Sequence, residues 1–206
     1  MVHQETHNAA QARIVFWLLA TGSTPFIPPI PGNDLPGVLG YRDIADTEAM
    51  IEAAGKYRHA VVIGAGLLGL EAANGLMLRG MDVTVVHIGE WIMERQLDQA
   101  AADMLQASLE AKGMKFLLAR HTEALLPARN EDGDMTARVG AVRFKDGMQI
   151  PAELVVMAAG IRPNTALAQA AETMRRWVLP ACAKALRMKC TRQRCQVALS
   201  TFDTAA

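Results

Sequence analysis

The sequence has no excess of charge of either sign, because 21 Lys and Arg residues balance 21 Asp and Glu residues in a chain of 206. A neutral chain lacks the basic surface that attracts nucleic acid or anionic lipid, so neither is an expected partner. It also lacks any apolar run long enough to cross a bilayer. The chain is therefore expected to act without nucleic-acid or membrane partners.

Cysteine is scarce, and the three residues of this type, Cys182, Cys190 and Cys195, all lie near the C-terminus. An odd number of cysteines at one end of a chain is not a disulfide framework, which predicts a reducing, cytoplasmic setting. Three cysteines fall short of the four that an iron–sulfur cluster needs, and no four-ligand spacing for zinc is present. No metal site is predicted.

The sequence does contain a glycine motif, Gly64-Ala65-Gly66-Leu67-Leu68-Gly69, in the context that such a motif requires. It follows the apolar run 60–63 and opens a helical stretch that ends at Gly80. In a dinucleotide-binding turn the first glycine permits the tight turn, the second lets a pyrophosphate approach, and the third lets helix and strand pack closely. The free N–H groups of the helix N-terminus then face the phosphates. The motif therefore predicts binding of NAD(P)H.

Strand and helix patterns alternate around this motif. Residues 59–64, 81–87 and 114–119 read as buried strands, and residues 67–80 and 97–113 as helices. Asp146-Gly147 predicts a hairpin turn within residues 140–160. This order predicts an α/β fold, a Rossmann-like parallel sheet with helices and a small antiparallel meander.

The residue at the end of the second strand should distinguish NADH from NADPH. An acid at this place binds the ribose 2′-hydroxyl of NAD and repels a 2′-phosphate. His87 occupies it in this chain; a neutral imidazole can bind a hydroxyl, and a protonated one can face a phosphate. Arg95 is either a helper for a 2′-phosphate or a solvated loop residue. The choice of cofactor stays open, with a slight preference for NADH.

Four stretches of the chain carry a family resemblance: residues 20–23 with the prolines after them, residues 41–46, residues 64–71, and residues 158–165. Together they resemble the pyridine nucleotide–disulfide oxidoreductase superfamily of flavoproteins. The resemblance implies that Thr21 and Gly22 line an FAD site in a complete protein. It also implies that Glu71 and Gly160 lie near the nicotinamide of NAD(P)H, from which hydride passes to the flavin.

Within that superfamily, residues 83–98 most resemble the flavoprotein portion of assimilatory NAD(P)H nitrite reductase large subunits. Rubredoxin- and ferredoxin-reductase-like flavoproteins are the alternative. The resemblance implies three regions: a partial FAD-domain segment and linker over 1–45, an NAD(P)H-binding Rossmann-like domain over 46–165, and a divergent basic tail over 166–206. That tail is interpreted as disordered.

The family's FAD domain begins with a glycine motif of its own, whereas this chain has only one. The nineteen residues before Ala20 are too few for a βαβ unit. NAD(P)H is therefore the expected cofactor, and FAD and siroheme portions belong to the missing parts of a parent enzyme. Two alternatives to an enzyme stay open: a nucleotide-binding module without turnover, and a truncated, inactive product. No catalytic side chain is predicted.

Overall fold

The structure is a computed structural model that describes residues 20–130 and 133–170. In chain order the strands are β1 Ser23–Pro25, β2 Val38–Gly40, β3 His59–Ile63, β4 Asp82–Val86, β5 Lys115–Leu117, β6 Thr122–Arg129, β7 Met135–Phe144, β8 Gln149–Pro151, β9 Leu154–Met157 and β10 Ile161–Pro163. The helices are α1 Ile44–Ala54, α2 Leu67–Leu78, α3 Gln99–Glu110 and α4 Ala166–Ala170. Ser23–Pro163 form one compact unit, and the remaining described residues, 20–22 and 164–170, belong to a second.

Five parallel strands in the order β2-β9-β3-β4-β5 form the central sheet of the first unit. The predicted α/β class, with its parallel sheet, is thus confirmed. Strand β9 comes from the predicted meander region, yet it pairs on both sides within the parallel sheet. It is fully buried along its length, which suits an inner strand of a sheet covered on both faces.

The two faces of the sheet carry two separate cores, because successive side chains of a strand point to opposite faces. Val62, Val85 and Val156 belong to the helix-side core, where they pack with buried residues of α1, α2 and α3. Their neighbours Val61 and Val155 belong to the meander-side core, formed with residues of β6 and β7. Each inner strand therefore contributes to both cores.

Local signals begin and end the helices. Asp43 caps α1 in a capping box with Asp46, and the side chain of Asp98 accepts a hydrogen bond from Ala101 N at the start of α3. Helix α2 ends as predicted before Gly80, which has a φ of +87°. No helix in the described ranges is long and apolar enough to cross a membrane.

The antiparallel meander β6-β7-β8 is confirmed around the predicted turn, where Gly147 has a φ of +86° and Asp146 accepts from Met148 N. Strand β6 was not predicted from the sequence. It contains Pro127, at which the register with β7 shifts, and proline is tolerated in a strand at such irregularities. The meander is therefore larger than the sequence indicated.

The proline-rich segment behaves as predicted, since residues 26–37 form turns and loops. Strand β1, before it, makes only a two-stranded ribbon with β10. The segment contributes Ile27, Ile30 and Leu35 to the border of the meander-side core. The three cysteines and the predicted basic tail beyond residue 170 lie outside the described residues.

Glu153 joins three segments at the amino-terminal edge of the sheet. Its Oε2 atom accepts hydrogen bonds from Arg58 N and His59 N, each at 2.9 Å, and lies 3.3 Å from His59 Nδ1. Its carbonyl oxygen accepts from Arg138 Nη2. Burial raises the pKa of Glu153, but the hydrogen bonds from His59 and Arg58 outweigh it, so the pKa lies below its usual 4.5.

Glu153→Gln should destabilise the chain by about 1 kcal/mol at pH 7, a modest figure because the side chain is partly exposed. The lowered folded-state pKa means that the stabilisation is present above about pH 4.5 and is lost as the pH falls through the folded pKa. Urea unfolding at pH 7 and at pH 3.5 measures the free energy of unfolding of wild type and variant. The difference in free energy of unfolding between wild type and variant should be smaller at pH 3.5 than at pH 7. An equal difference at the two pH values would contradict a stabilising role of the Glu153 carboxylate. Glu48→Gln, on the exposed face of α1, is the control.

Candidate dinucleotide-binding site

The carboxyl ends of the parallel strands meet at one edge of the sheet, where ligands of open α/β sheets bind. Tyr41 follows β2, Ala158 follows β9, Gly64 follows β3 and His87 follows β4. The glycine motif leads directly from β3 into α2, in the strand–turn–helix context predicted from the sequence. Gly64 to Gly69, Ala158 and His87 are thereby brought to one edge.

Two glycines of the motif are required by the protein's own packing. Gly64 has a φ of +119°, and a Cβ there would overlap the carbonyl group of Ala158. A Cβ at Gly69 would overlap the carbonyl oxygen of Gly64, so the third glycine permits α2 to pack against the turn. These two positions are explained by the fold without any ligand.

Gly66 has no such explanation within the protein. It is the N-cap of α2 with φ −81° and ψ −177°, an extended conformation open to any residue. No side chain caps the helix there, and a Cβ at Gly66 would meet no heavy atom within 4 Å. The space next to the free N–H groups of α2 is therefore open, as an anion-binding helix N-terminus requires.

His87 is tied to the glycine motif through its ring. Its Nδ1 atom lies 3.3 Å from Ala65 N and accepts that N–H, which places the ring proton on Nε2 in the neutral form. The Nε2 atom is buried without a hydrogen-bond partner among the described residues and lies 3.9 Å from Glu94 Oε1. Burial lowers the pKa of His87, against a smaller raising effect of the Glu94 carboxylate, so the neutral form dominates at pH 7.

The loop between β4 and α3 folds back onto the motif. Met93 N donates to Ala65 O at 2.9 Å, so both backbone groups of Ala65 are engaged by this loop. Ile92 is fully buried in the helix-side core, and Met93 adopts a left-handed conformation with φ 55°. The turn at Met93 leaves Glu94 exposed beside His87. Glu94 lies within the stretch 83–98 that carries the nitrite reductase resemblance, but it was not predicted as a site residue, since seven positions separate it from His87.

Tyr41 lies close enough to Glu71 for the charge of Glu71 to act on its hydroxyl. The pKa of the Tyr41 hydroxyl is raised by its burial and, to a smaller extent, by the negative charge of Glu71. Glu71 is exposed on the first turns of α2. Sequence reasoning noticed Tyr41 only as part of a linker; its place directly after β2 is the signal that marks it.

The other predicted site residues of this unit lie on accessible backbone or side-chain surface. Gly160 has a φ of +118°, and its carbonyl oxygen accepts from Phe26 N at 2.8 Å. Leu67 and Leu68 are 55% and 38% exposed at the start of α2, unusual for large apolar side chains. Arg95 is exposed in the loop that follows β4.

Thr21 and Gly22 belong to the second compact unit. The Thr21 hydroxyl donates to Asn164 O at 2.5 Å, and Asn164 Nδ2 donates to Thr21 O at 2.9 Å. Asn164 N also donates to Gly22 O, at 3.0 Å. Two stretches 143 positions apart, each noted for its family resemblance, are thus held together. No cluster of metal-binding side chains occurs in residues 20–130 and 133–170.

Comparison with known families gives a match over most of the chain. The sequence profile of the pyridine nucleotide-disulphide oxidoreductase family matches residues 3–187. The match includes the glycine motif, the loop after β4 and the return segment that contains Gly160.

Two curated relatives come from Bacillus subtilis strain 168. The chain is 56% identical over 150 residues to a nitrite reductase [NAD(P)H], which covers 73% of this chain and 18% of the relative. It is 49% identical over 154 residues to an assimilatory nitrate reductase electron transfer subunit, which covers 75% of this chain and 19% of the relative. The chain thus spans less than a fifth of the length of each.

The fold also resembles solved structures. A ferredoxin reductase from Rhodopseudomonas palustris is similar with a TM-score of 0.67 and 30% sequence identity. The similarity covers 75% of this chain and 36% of the reductase chain.

Proposed function

The chain belongs to the pyridine nucleotide-disulphide oxidoreductase family, and on this premise we propose that it binds NAD(P)H at the glycine motif and presents the nicotinamide for hydride transfer to a flavin. The reduced nicotinamide supplies the hydride when it is bound. The residues of this chain bind and orient the dinucleotide, and no side chain of the site is proposed to act as an acid or base.

The observation that carries this proposal is the open space at Gly66. Gly64 and Gly69 are glycines because the fold leaves no room for a Cβ, whereas nothing in the described fold excludes a side chain at Gly66. A pyrophosphate seated on the N-terminus of α2 would need that space for close approach to the backbone. The glycine at this position is thus accounted for by a ligand.

The remaining contacts follow from the orientation of the motif. With the pyrophosphate over Gly66, the adenosine half extends toward the end of β4 and the loop that contains Arg95. The nicotinamide half extends toward Glu71 and Gly160, as the family resemblance implies. We add Tyr41 to the site, because it directly follows β2 at the same carboxyl-terminal edge of the sheet.

The flavin is proposed to be held mainly by other parts of a longer protein. The sequence has a single dinucleotide-binding glycine motif, which opens α2, and this supports the proposal that other residues complete the FAD site. Thr21 and Gly22 would contribute to that second site. No step through the flavin is derived for this chain.

A nitrite reductase of the NAD(P)H-dependent type is the proposed parent protein. The two Bacillus subtilis relatives, at 56% and 49% identity, are both named for reduction in nitrite or nitrate metabolism. A ferredoxin-reductase-like flavoprotein is the second candidate, favoured by the structural similarity to the Rhodopseudomonas palustris enzyme. The scarcity of cysteine supports a cytoplasmic setting in either case.

Gly66→Ala tests the binding proposal, because it should lower affinity without harming the fold. Wild-type chain should bind NADH saturably in calorimetry, and the variant should bind at least about tenfold more weakly, since its Cβ enters the space needed by the pyrophosphate. The melting temperature of the variant should stay within about 2 °C of wild type, because the substituted residue meets no protein atom.

Gly75→Ala, on the exposed side of α2 where a Cβ also meets nothing, is the matched control and should leave affinity unchanged. If folded wild-type chain binds neither NADH nor NADPH, the proposal is wrong. If Gly66→Ala binds as tightly as wild type, the nucleotide is not seated on the N-terminus of α2.

A further inference from the structure

The residue at the end of β4 is poorly placed to contact a ribose by itself. The Nδ1 atom of His87 is already engaged by Ala65 N, and its Nε2 atom is buried. The whole side chain is only 13% exposed. One ring nitrogen therefore accepts a hydrogen bond from the glycine turn, and the other is buried. Neither nitrogen is available to bind a ligand from solvent.

Glu94 supplies the missing exposed group. Its carboxylate lies 3.9 Å from His87 Nε2, and its side chain is 43% exposed, so its oxygens face both the buried N–H and solvent. The position is fixed by the loop: Ile92 is anchored in the helix-side core, and Met93 is bonded to Ala65 O. The carboxylate is thereby placed beside the glycine motif.

Gly89 makes room for this pair. A Cβ at Gly89 would overlap Glu94 Oε2 and would lie 2.8 Å from His87 Nε2. Gly89 does not have a left-handed φ, so its backbone conformation does not itself require glycine. The absent side chain leaves the space in which imidazole and carboxylate meet.

A cation at the same edge is engaged elsewhere. Arg120 follows β5, and its backbone N–H donates to His87 O at 2.9 Å, yet its guanidinium group pairs with Asp146. Among the described residues, the charged group that contacts the His87 ring is therefore an anion. A 2′-phosphate brought here would face a carboxylate, whereas a 2′-hydroxyl would find an acceptor.

We propose that Glu94 contacts the adenosine ribose and makes this site select NADH over NADPH, with the buried ring of His87 lying beside the Glu94 carboxylate. The acidic residue that contacts the ribose thus lies in the loop after β4 and not at the end of the strand. The inference rests on the proposed function, because it assumes a dinucleotide on the motif.

Glu94→Gln in the full chain tests the inference by calorimetry with NADH and NADPH. Wild type should prefer NADH, and the variant should lose about tenfold of that preference, mainly through tighter binding of NADPH, because the repulsion of the 2′-phosphate is removed. The same shift should appear with 5′-AMP against adenosine 2′,5′-bisphosphate, which report on the adenosine end alone. Glu90→Gln removes an equal charge from an exposed position of the same loop and should leave the ratio unchanged.

Gly89→Ala tests whether the position of the Glu94 carboxylate matters as well as its charge. The variant keeps every charged group, but its Cβ displaces that carboxylate. It should reduce the NADH preference as Glu94→Gln does. Wild-type preference for NADPH, or a ratio that Glu94→Gln and Gly89→Ala leave within twofold of wild type, would overturn the inference while the binding site stands. Failure of folded wild type to bind any of the nucleotides would remove the proposed function and the inference with it.

Discussion

Gly69→Ala should destabilise the chain by about 3 kcal/mol and abolish dinucleotide binding. The added Cβ would overlap the carbonyl oxygen of Gly64, a backbone atom that cannot swing aside. Either α2 moves away from β3 or the turn distorts, and overpacking of this kind costs on the order of 1–3 kcal/mol or more. Urea unfolding followed by circular dichroism gives the loss of stability, and calorimetry with NADH gives the loss of binding.

Gly75→Ala makes the same chemical change on the same helix, but it should raise the free energy of unfolding instead of lowering it. An exposed helical glycine replaced by alanine gains about 0.5–1 kcal/mol, and a Cβ at Gly75 meets no atom within 4 Å. Comparison of the two variants distinguishes the effect of packing at the turn on stability from the effect of helix propensity. Gly69→Ala with wild-type stability would show that α2 does not pack against the turn as described.

Phe144→Ala should destabilise the chain by about 4 kcal/mol, the usual cost of removing a fully buried aromatic ring. Phe144 is 1% exposed at the end of β7, in the meander-side core, where Val61 and Met157 of the parallel sheet are also buried. Loss of the ring leaves a cavity between meander and sheet. Chemical unfolding measures the stability, and amide hydrogen exchange shows which strands lose protection.

The amides of β3 should lose protection together with those of β7, because β3 contributes Val61 to one core and Val62 to the other. Exchange that quickens in the meander while β3 keeps wild-type protection would mean that the two cores unfold separately. Phe144→Leu, which retains most of the volume, is the control and should cost about 1 kcal/mol.

Local pattern was sufficient for the elements around the glycine motif. The apolar run before Gly64, the helical stretch up to Gly80 and the next apolar run each carry their own signal over a few residues, and the structure has β3, α2 and β4 there. The turn at Asp146-Gly147 was equally local. Strand β6 was missed because Pro127 interrupts its pattern and a bulge accommodates it.

The α/β fold class and the position of the glycine motif between β3 and α2 could be predicted from the sequence alone, because they depend on periodicity and on glycines within one turn. The place of β9 between β2 and β3 could be learned only from the folded chain, since its partners are distant in sequence. Only the structure distinguished Gly66 from Gly64 and Gly69, because the distinction depends on atoms of Ala158 and of the turn itself. The proximity of His87 and Glu94 likewise depends on the loop, which folds back so that Met93 N can donate to Ala65 O. The spacing of these residues along the chain does not predict that hydrogen bond.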